Sequence, residues 1–316
     1  MAALARLGRA APAPNRERQR VRLRSLLRLV RIPNVFTAFA DVVAGVCLAR
    51  EGELVPRDLA LVGASGALYL AGMVWNDYCD RDVDARERPE RPIPAGEVSP
   101  TAAAAIGVGL LAVGLGLAAS HGPAPLAVAV ALAVTILLYD ARLKSTAFGP
   151  WAMGACRALN VCLGLSVAYR SLPGWVWLLP SALGAFTLLI TRLSRFEVSG
   201  AAPERLRSTL WGFALLAALL VQSLCWLLWH NQADSGAALL TMLSFAFFGA
   251  RALMLLAPLA REVSPRLLGQ AIGGCILLMP ALDAAFVAAS GSPLMAAGIF
   301  ALAAPAYLLK RWYYLT

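Results

Sequence analysis

The chain has 316 residues, of which 59% are hydrophobic and 15% charged; its mean hydropathy is +0.68, and an ordinary soluble domain carries about 25% charged residues. This composition excludes a water-soluble globule, and apolar runs of roughly 20 residues recurring along the chain exclude disorder, collagen and coiled coil. The net charge of +10 would suggest nucleic acid on a soluble protein; here it is read as membrane topology, with no nucleic-acid partner.

Residues 1–31 carry nine arginines and no apolar signal-peptide core, and are expected to form a basic cytoplasmic arm lying on anionic lipid. Residues 32–316 read as one transmembrane domain. Apolar runs predict spans near 33–49, 57–76, 101–119, 123–139, 147–169, 173–191, 208–230, 236–258, 266–288 and 292–309. With the N-terminus inside, 23 of the 28 Lys and Arg residues fall on cytoplasmic segments and three on outer ones. Basic residues collect on the cytoplasmic side, so this split supports the orientation. The expectation is an all-α, polytopic bundle of nine or ten transmembrane helices around a central cavity. It is placed as a multi-pass integral protein of a bacterial inner (plasma) membrane, with a cytoplasmic N-terminus. The six cysteines lie mostly in apolar spans without a C-x-x-C pair, and read as packing residues.

The second span runs into an acidic stretch, Trp75-Asn76-Asp77-Tyr78-Cys79-Asp80-Arg81-Asp82-Val83-Asp84, then a loop stiffened by Pro89, Pro92 and Pro94. If the helix continues, Asp77, Asp80 and Asp84 fall within about 60° on one face, one turn apart, and Asp82 points away. Stacked like charges repel, and a helix C-terminus disfavours negative charge further. Such a face costs stability unless cations occupy it. Hard oxygen ligands at this spacing suit Mg²⁺ shared with phosphate oxygens, and Asn76 can add a carbonyl oxygen. Arg88 and Arg91 follow in the stiff loop, where a guanidinium could lie over a phosphate.

Charges inside spans are costly and point to function. Asp41 lies in the first span about two turns past Asn34, and Arg157 in the fifth with Asn160 one turn on. An Asp41–Arg157 pair and an Arg157 directed at diphosphate are both compatible with these positions. Asp283 has no evident partner in the sequence.

The acidic stretch resembles the first aspartate-rich motif of the UbiA family of intramembrane prenyltransferases, N-D-x-x-D-x-x-x-D followed by R-P-x-P-x-G, here Asn76, Asp77, Asp80, Asp84 and Arg91-Pro92-Ile93-Pro94-Ala95-Gly96. Tyr139-Asp140-Ala141-Arg142-Leu143-Lys144 resembles the family's Tyr-x-x-x-x-Lys loop, whose lysine meets the diphosphate. Arg31-Ile32-Pro33-Asn34 resembles the opening of its first span, whose asparagine faces the pocket. The resemblance implies transfer of an isoprenoid chain from a prenyl diphosphate to an unidentified acceptor. It implies Mg²⁺ held by Asp80 and Asp84 with Asn76 or Asp77, and positive charge from Lys144 and Arg142 at the leaving oxygens. The allylic cation would form in a dry cavity between helices.

Two departures stand out. Where the family has a second acidic motif after its sixth span, this chain reads Thr191-Arg192-Leu193-Ser194-Arg195-Phe196-Glu197. Ten predicted spans also exceed the family's usual nine. Both features resemble the EboC-like branch. Three readings stay open: Glu197 binds a second metal alone; Arg192 or Arg195 neutralises phosphate directly; or catalysis is lost and a lipid-binding or transport role remains.

Overall fold

The computed structural model describes residues 25–29, 34–199 and 203–314, with backbone only for 197–199, 203 and 310–314. Most of the arm expected over 1–31 therefore lies outside the described residues, as do Ile32 and Pro33. The helices are α1 (Val35–Ala49), α2 (Leu59–Glu87), α3 (Pro100–His121), α4 (Pro123–Leu138), α5 (Gly149–Leu165), α6 (Leu178–Ser199), α7 (Pro203–His230), α8 (Ser235–Leu256), α9 (Pro265–Leu277), α10 (Met279–Ala289), α11 (Pro293–Ala301) and α12 (Ala303–Tyr314).

Local chemistry sets several boundaries. Ser99 accepts from Ala102 N at 3.2 Å with Pro100 in the first turn of α3, and Asp234 accepts from Ala237 N at 2.7 Å at the start of α8. These side chains satisfy donors that a helix start leaves open. The span predicted over 266–288 is divided at Leu278, where Pro280 opens α10. The span over 292–309 divides near Leu302, ahead of Pro305. In both places the missing proline N–H breaks the helical ladder.

Eight helical stretches are long and apolar enough to cross a membrane, among the described residues, and two shorter apolar ones cover Val35–Ala49 and Pro293–Leu309. The protein is thus an all-α, multi-pass membrane bundle. In the most apolar stretch of Pro265–Ala289, 72% of residues are buried, against 22% for Pro100–His121 and for Ser235–Ala260. The α9–α10 pair is therefore central, and α3 and α8 turn most of their surface outward. Every residue of α10 is buried, and its alanines let neighbours approach closely. All six cysteines are free, with Cys47 and Cys275 buried.

Two glycines fix how α1 meets α5. A Cβ on Gly45 would stand 3.0 Å from Gly164 Cα and closer still to the carbonyl oxygen of Val161, so the two backbones touch. One turn from this contact, Asp41 on α1 comes opposite Asn160 on α5. At the far end of α2 from the acidic stretch, buried Asp58 accepts from Val55 N at 3.0 Å, with His121 Nε2 at 3.0 Å and Arg50 at 3.2 Å. That knot ties the ends of α1 and α3 to the start of α2.

Candidate active site

α2 continues through the acidic stretch to Glu87 as the spacing predicts. Asp77 and Asp84 are buried and Asp80 is half-buried, whereas the Asp82 side chain is 83% exposed. The 3.6-residue period therefore places the three acids as expected. Their counter-charges come from the chain itself. The loop after α2 folds back, and Arg91 Nη1 reaches Asp84 Oδ2 at 2.6 Å and Asp77 Oδ1 at 3.2 Å. Lys144 Nζ bonds Asp80 Oδ1. The repulsion of stacked carboxylates is thus relieved by one guanidinium and one ammonium.

The loop is itself held down. Arg28, in the short helical segment 25–29, donates to the Glu90 carbonyl at 2.8 Å and lies 3.7 Å from Glu97. Leu29 is buried with Val74, Ile93, Val98 and Ala103. Arg88, at the C-terminal cap of α2, gives its backbone N–H to Asp84 O and is exposed.

On the other side, α4 ends in a π turn, Tyr139–Leu143, whose wider ring closes with Lys144 N on Tyr139 O at 3.0 Å. Such single π turns insert one extra residue and re-aim side chains. Asp140 is thereby buried, and Asn76 donates its amide nitrogen to Asp140 Oδ1 at 3.2 Å. Sequence reasoning passed over Asp140 as a site residue; its only signal was an acid between Tyr139 and Lys144. Arg142 is exposed on this turn. Arg195 on α6 donates through Nη2 to the carbonyls of Lys144, at 3.0 Å, and Thr146. Arg192 is exposed, and the Glu197 side chain lies outside the described residues.

A second polar cluster lies deeper. Arg157 Nε is 2.8 Å from Asp41 Oδ2, and its Nη atoms donate to Thr37 Oγ1 at 3.2 Å and Thr37 O at 3.1 Å. Asn160 donates to Asp41 Oδ2 at 2.9 Å and Ala38 O at 3.0 Å, and accepts from Ser65 Oγ at 2.7 Å. The Asp41–Arg157 pairing, one of two arrangements the sequence left open, is the one present. Asp283 on α10 faces Asp41, and both carboxyl groups are fully buried. Ser65 precedes Asp77 on α2 by twelve residues, about 18 Å along the helix, so the Ser65 corner of this cluster lies well away from the acidic face. Asn34, at the N-cap of α1, accepts from Thr37 Oγ1 at 2.8 Å through its main-chain carbonyl and is half-buried.

Among the described residues, no three of His, Cys, Asp and Glu gather as a metal-holding group. The donor set on α2 nonetheless suits a hard divalent cation. It offers only oxygen ligands at one-turn intervals, and Asn76, having given its nitrogen to Asp140, keeps its carbonyl oxygen. Grooves of about 390 and 530 Å³ run between α6, α7 and α8 and between α5, α6 and α7. Their linings are apolar and include none of the acids or their basic partners.

A digeranylgeranylglyceryl phosphate synthase of Methanoregula boonei is 35% identical over 157 residues, 48% of this chain and 56% of that protein. Another, of Methanopyrus kandleri, is 36% identical over 163 residues, 50% and 58%. The chain spans little more than half the length of these curated relatives. The apo structure of a UbiA homolog from Aeropyrum pernix K1 is similar with a TM-score of 0.64 at 18% identity, over 80% of this chain and 98% of that one. A UbiA homolog from Archaeoglobus fulgidus bound to GPP and Mg²⁺ gives 0.59 at 16%, over 88% and 99%. At these identities the likeness is one of fold. The sequence model of the UbiA prenyltransferase family matches residues 38–262, well over half of the chain, and the chain belongs to that family.

Proposed function

We propose that the protein is an intramembrane prenyltransferase that moves an isoprenoid chain from a prenyl diphosphate to an acceptor, with its site at the cytoplasmic end of α2. The observation that carries this reading is the ladder of Asp77, Asp80 and Asp84 with Arg91 and Lys144 against it. Three carboxylates and two cations form a set that can exchange partners. The carboxylates can turn to a divalent cation while the guanidinium and ammonium turn to diphosphate oxygens.

Asn76, Asp77, Asp80 and Asp84 would hold Mg²⁺. When bound, Mg²⁺ supplies charge neutralisation at the diphosphate and makes it a better leaving group. Lys144 adds a positive charge aimed at the oxygens where negative charge develops, the kind of contact that strengthens in the transition state. Arg91 does the same from the loop side, and its bidentate fork suits phosphate geometry. The half-buried setting of these groups keeps their interaction with diphosphate stronger than it would be in bulk water. The names of the relatives make the hydroxyl of a glyceryl phosphate lipid the first acceptor to test.

A second reading, a non-catalytic prenyl-diphosphate binder, is favoured by the C-terminal turns of α6: Arg192 and Arg195 stand where the family resemblance would place acids. One assay separates the two. Full-length protein in detergent or nanodiscs is given geranylgeranyl diphosphate, Mg²⁺ and candidate acceptors, and pyrophosphate release is followed. Release that Asp80→Asn and Asp84→Asn each reduce at least about 100-fold supports the enzyme. Wild-type rates in either variant refute it, and tight donor binding without release under any acceptor establishes the binder.

A further inference from the structure

We propose that Arg195 is a positioning residue that acts through Lys144: from α6 it clamps the carbonyl end of the turn carrying the lysine, and so fixes the ammonium beside the acidic ladder. The inference rests on the diphosphate reading above for its consequence, though not for its geometry.

The end of α4 leaves backbone carbonyls without helical partners, as every helix C-terminus does. Here the chain knits them locally. Lys144 N bonds Tyr139 O at 3.0 Å, Thr146 N bonds Leu143 O at 2.9 Å, and Gly149 N bonds Thr146 O at 3.2 Å. Thr146 Oγ1 also donates to Leu143 O at 2.8 Å. The carbonyls of Lys144 and Thr146 then receive Arg195 Nη2 as well. A cation at a helix C-terminus is favoured by the helix dipole as well as by the hydrogen bonds. A carboxylate in this place would face the same carbonyls, oxygen against oxygen. The change of sign at the C-terminal end of α6, which reads in the sequence only as a lost acidic motif, is therefore matched to the contact.

Gly149 provides the space. A Cβ there would lie 2.5 Å from Arg195 Nη2, 2.8 Å from Leu143 O and 2.9 Å from Lys144 O. No side chain fits between the guanidinium and the turn. Lys144 is thus held at both ends, its carbonyl by α6 and its ammonium by Asp80 on α2. Arg195 Nη2 gives its hydrogen bonds to two main-chain carbonyls.

The test uses the full-length protein and two readouts. Hydrogen–deuterium exchange is followed over residues 139–149. Binding of Mg²⁺-pyrophosphate is measured by calorimetry in wild type, Arg195→Gln, Arg195→Lys, Lys144→Ala and the Arg195→Gln/Lys144→Ala double variant. The clamp predicts that Arg195→Gln speeds exchange at the Lys144, Thr146 and Gly149 amides about tenfold or more, and that Arg195→Lys lies between. It predicts an affinity loss of about tenfold in Arg195→Gln that shrinks to less than about twofold in the Lys144→Ala background, because the two residues act as one unit. Unchanged exchange in the turn overturns the proposal. So does a full tenfold loss in the Lys144→Ala background, which would make Arg195 a phosphate ligand in its own right. If wild type binds no Mg²⁺-pyrophosphate, the diphosphate reading fails and the exchange result alone decides the clamp. If Arg195→Gln does not fold, Arg195→Lys carries the same two comparisons.

Discussion

Arg91 Nη1 stands 2.6 Å from Asp84 Oδ2, so a guanidinium seven residues beyond the acid folds back onto the helix that carries it. The same nitrogen reaches Asp77 at 3.2 Å, spanning two helical turns. Losing one partner of a buried ion pair costs roughly 3–5 kcal/mol. The Arg91 side chain is 16% exposed, so Arg91→Ala should cost less, about 2–3 kcal/mol. The thermal midpoint of the variant in detergent should fall, and added Mg²⁺ should recover more of it than it adds to wild type. A variant that melts like wild type with and without Mg²⁺ would show that Arg91 does not neutralise the ladder.

Lys144 is the ladder's second cation, against Asp80. Lys144→Ala should lower kcat/KM for a prenyl diphosphate about 10²–10³-fold, with a clear loss of pyrophosphate affinity. Lys144→Arg should recover only part, since the planar fork differs from a compact ammonium. Equal kinetics in wild type and Lys144→Ala would remove the lysine from the mechanism.

The deep cluster sets two carboxyl groups, Asp41 and Asp283, against the single guanidinium of Arg157. Asp41→Ala strands a buried arginine and should cost about 3–5 kcal/mol. Asp283→Asn removes the surplus acid, leaves the Asp41–Arg157 pair intact, and should leave the thermal midpoint unchanged or higher. A loss in Asp283→Asn as large as that in Asp41→Ala would mean that Asp283 is the arginine's true counter-ion.

Backbone contact between α1 and α5 predicts a steric test. Even a single Cβ at Gly45 would lie 3.0 Å from Gly164 Cα, so Gly45→Leu must push the two helices apart. Overpacking of this kind costs about 1–3 kcal/mol or more, and folded yield should drop sharply. Gly109, which has open space around it, should tolerate the same change. Equal yields from the two variants would contradict the close approach.

What the sequence disclosed follows from what is local. The 3.6-residue period alone placed Asp77, Asp80 and Asp84 on one face and turned Asp82 to the surface. Apolar runs located the transmembrane segments, although Pro280 and Pro305 divide two of them. Contacts across long separations were not readable. Arg91 was directed at phosphate, and its hold on Asp77 and Asp84 depends on how a proline-rich loop reverses. Asp140 reaches Asn76 only because a π turn adds a residue that regular periodicity does not anticipate. Asp283 gained a neighbour once packing set α10 beside α1, and Arg195 met its carbonyls 49 and 51 residues away.

The central claim is that the C-terminal end of α2 binds a divalent cation together with diphosphate. The most direct measurement is electron paramagnetic resonance of Mn²⁺, standing in for Mg²⁺, titrated into the full-length protein with geranyl diphosphate. The account predicts a bound Mn²⁺ signal that requires the diphosphate and disappears in Asp80→Asn and Asp84→Asn. A bound signal of wild-type strength in both variants would contradict it.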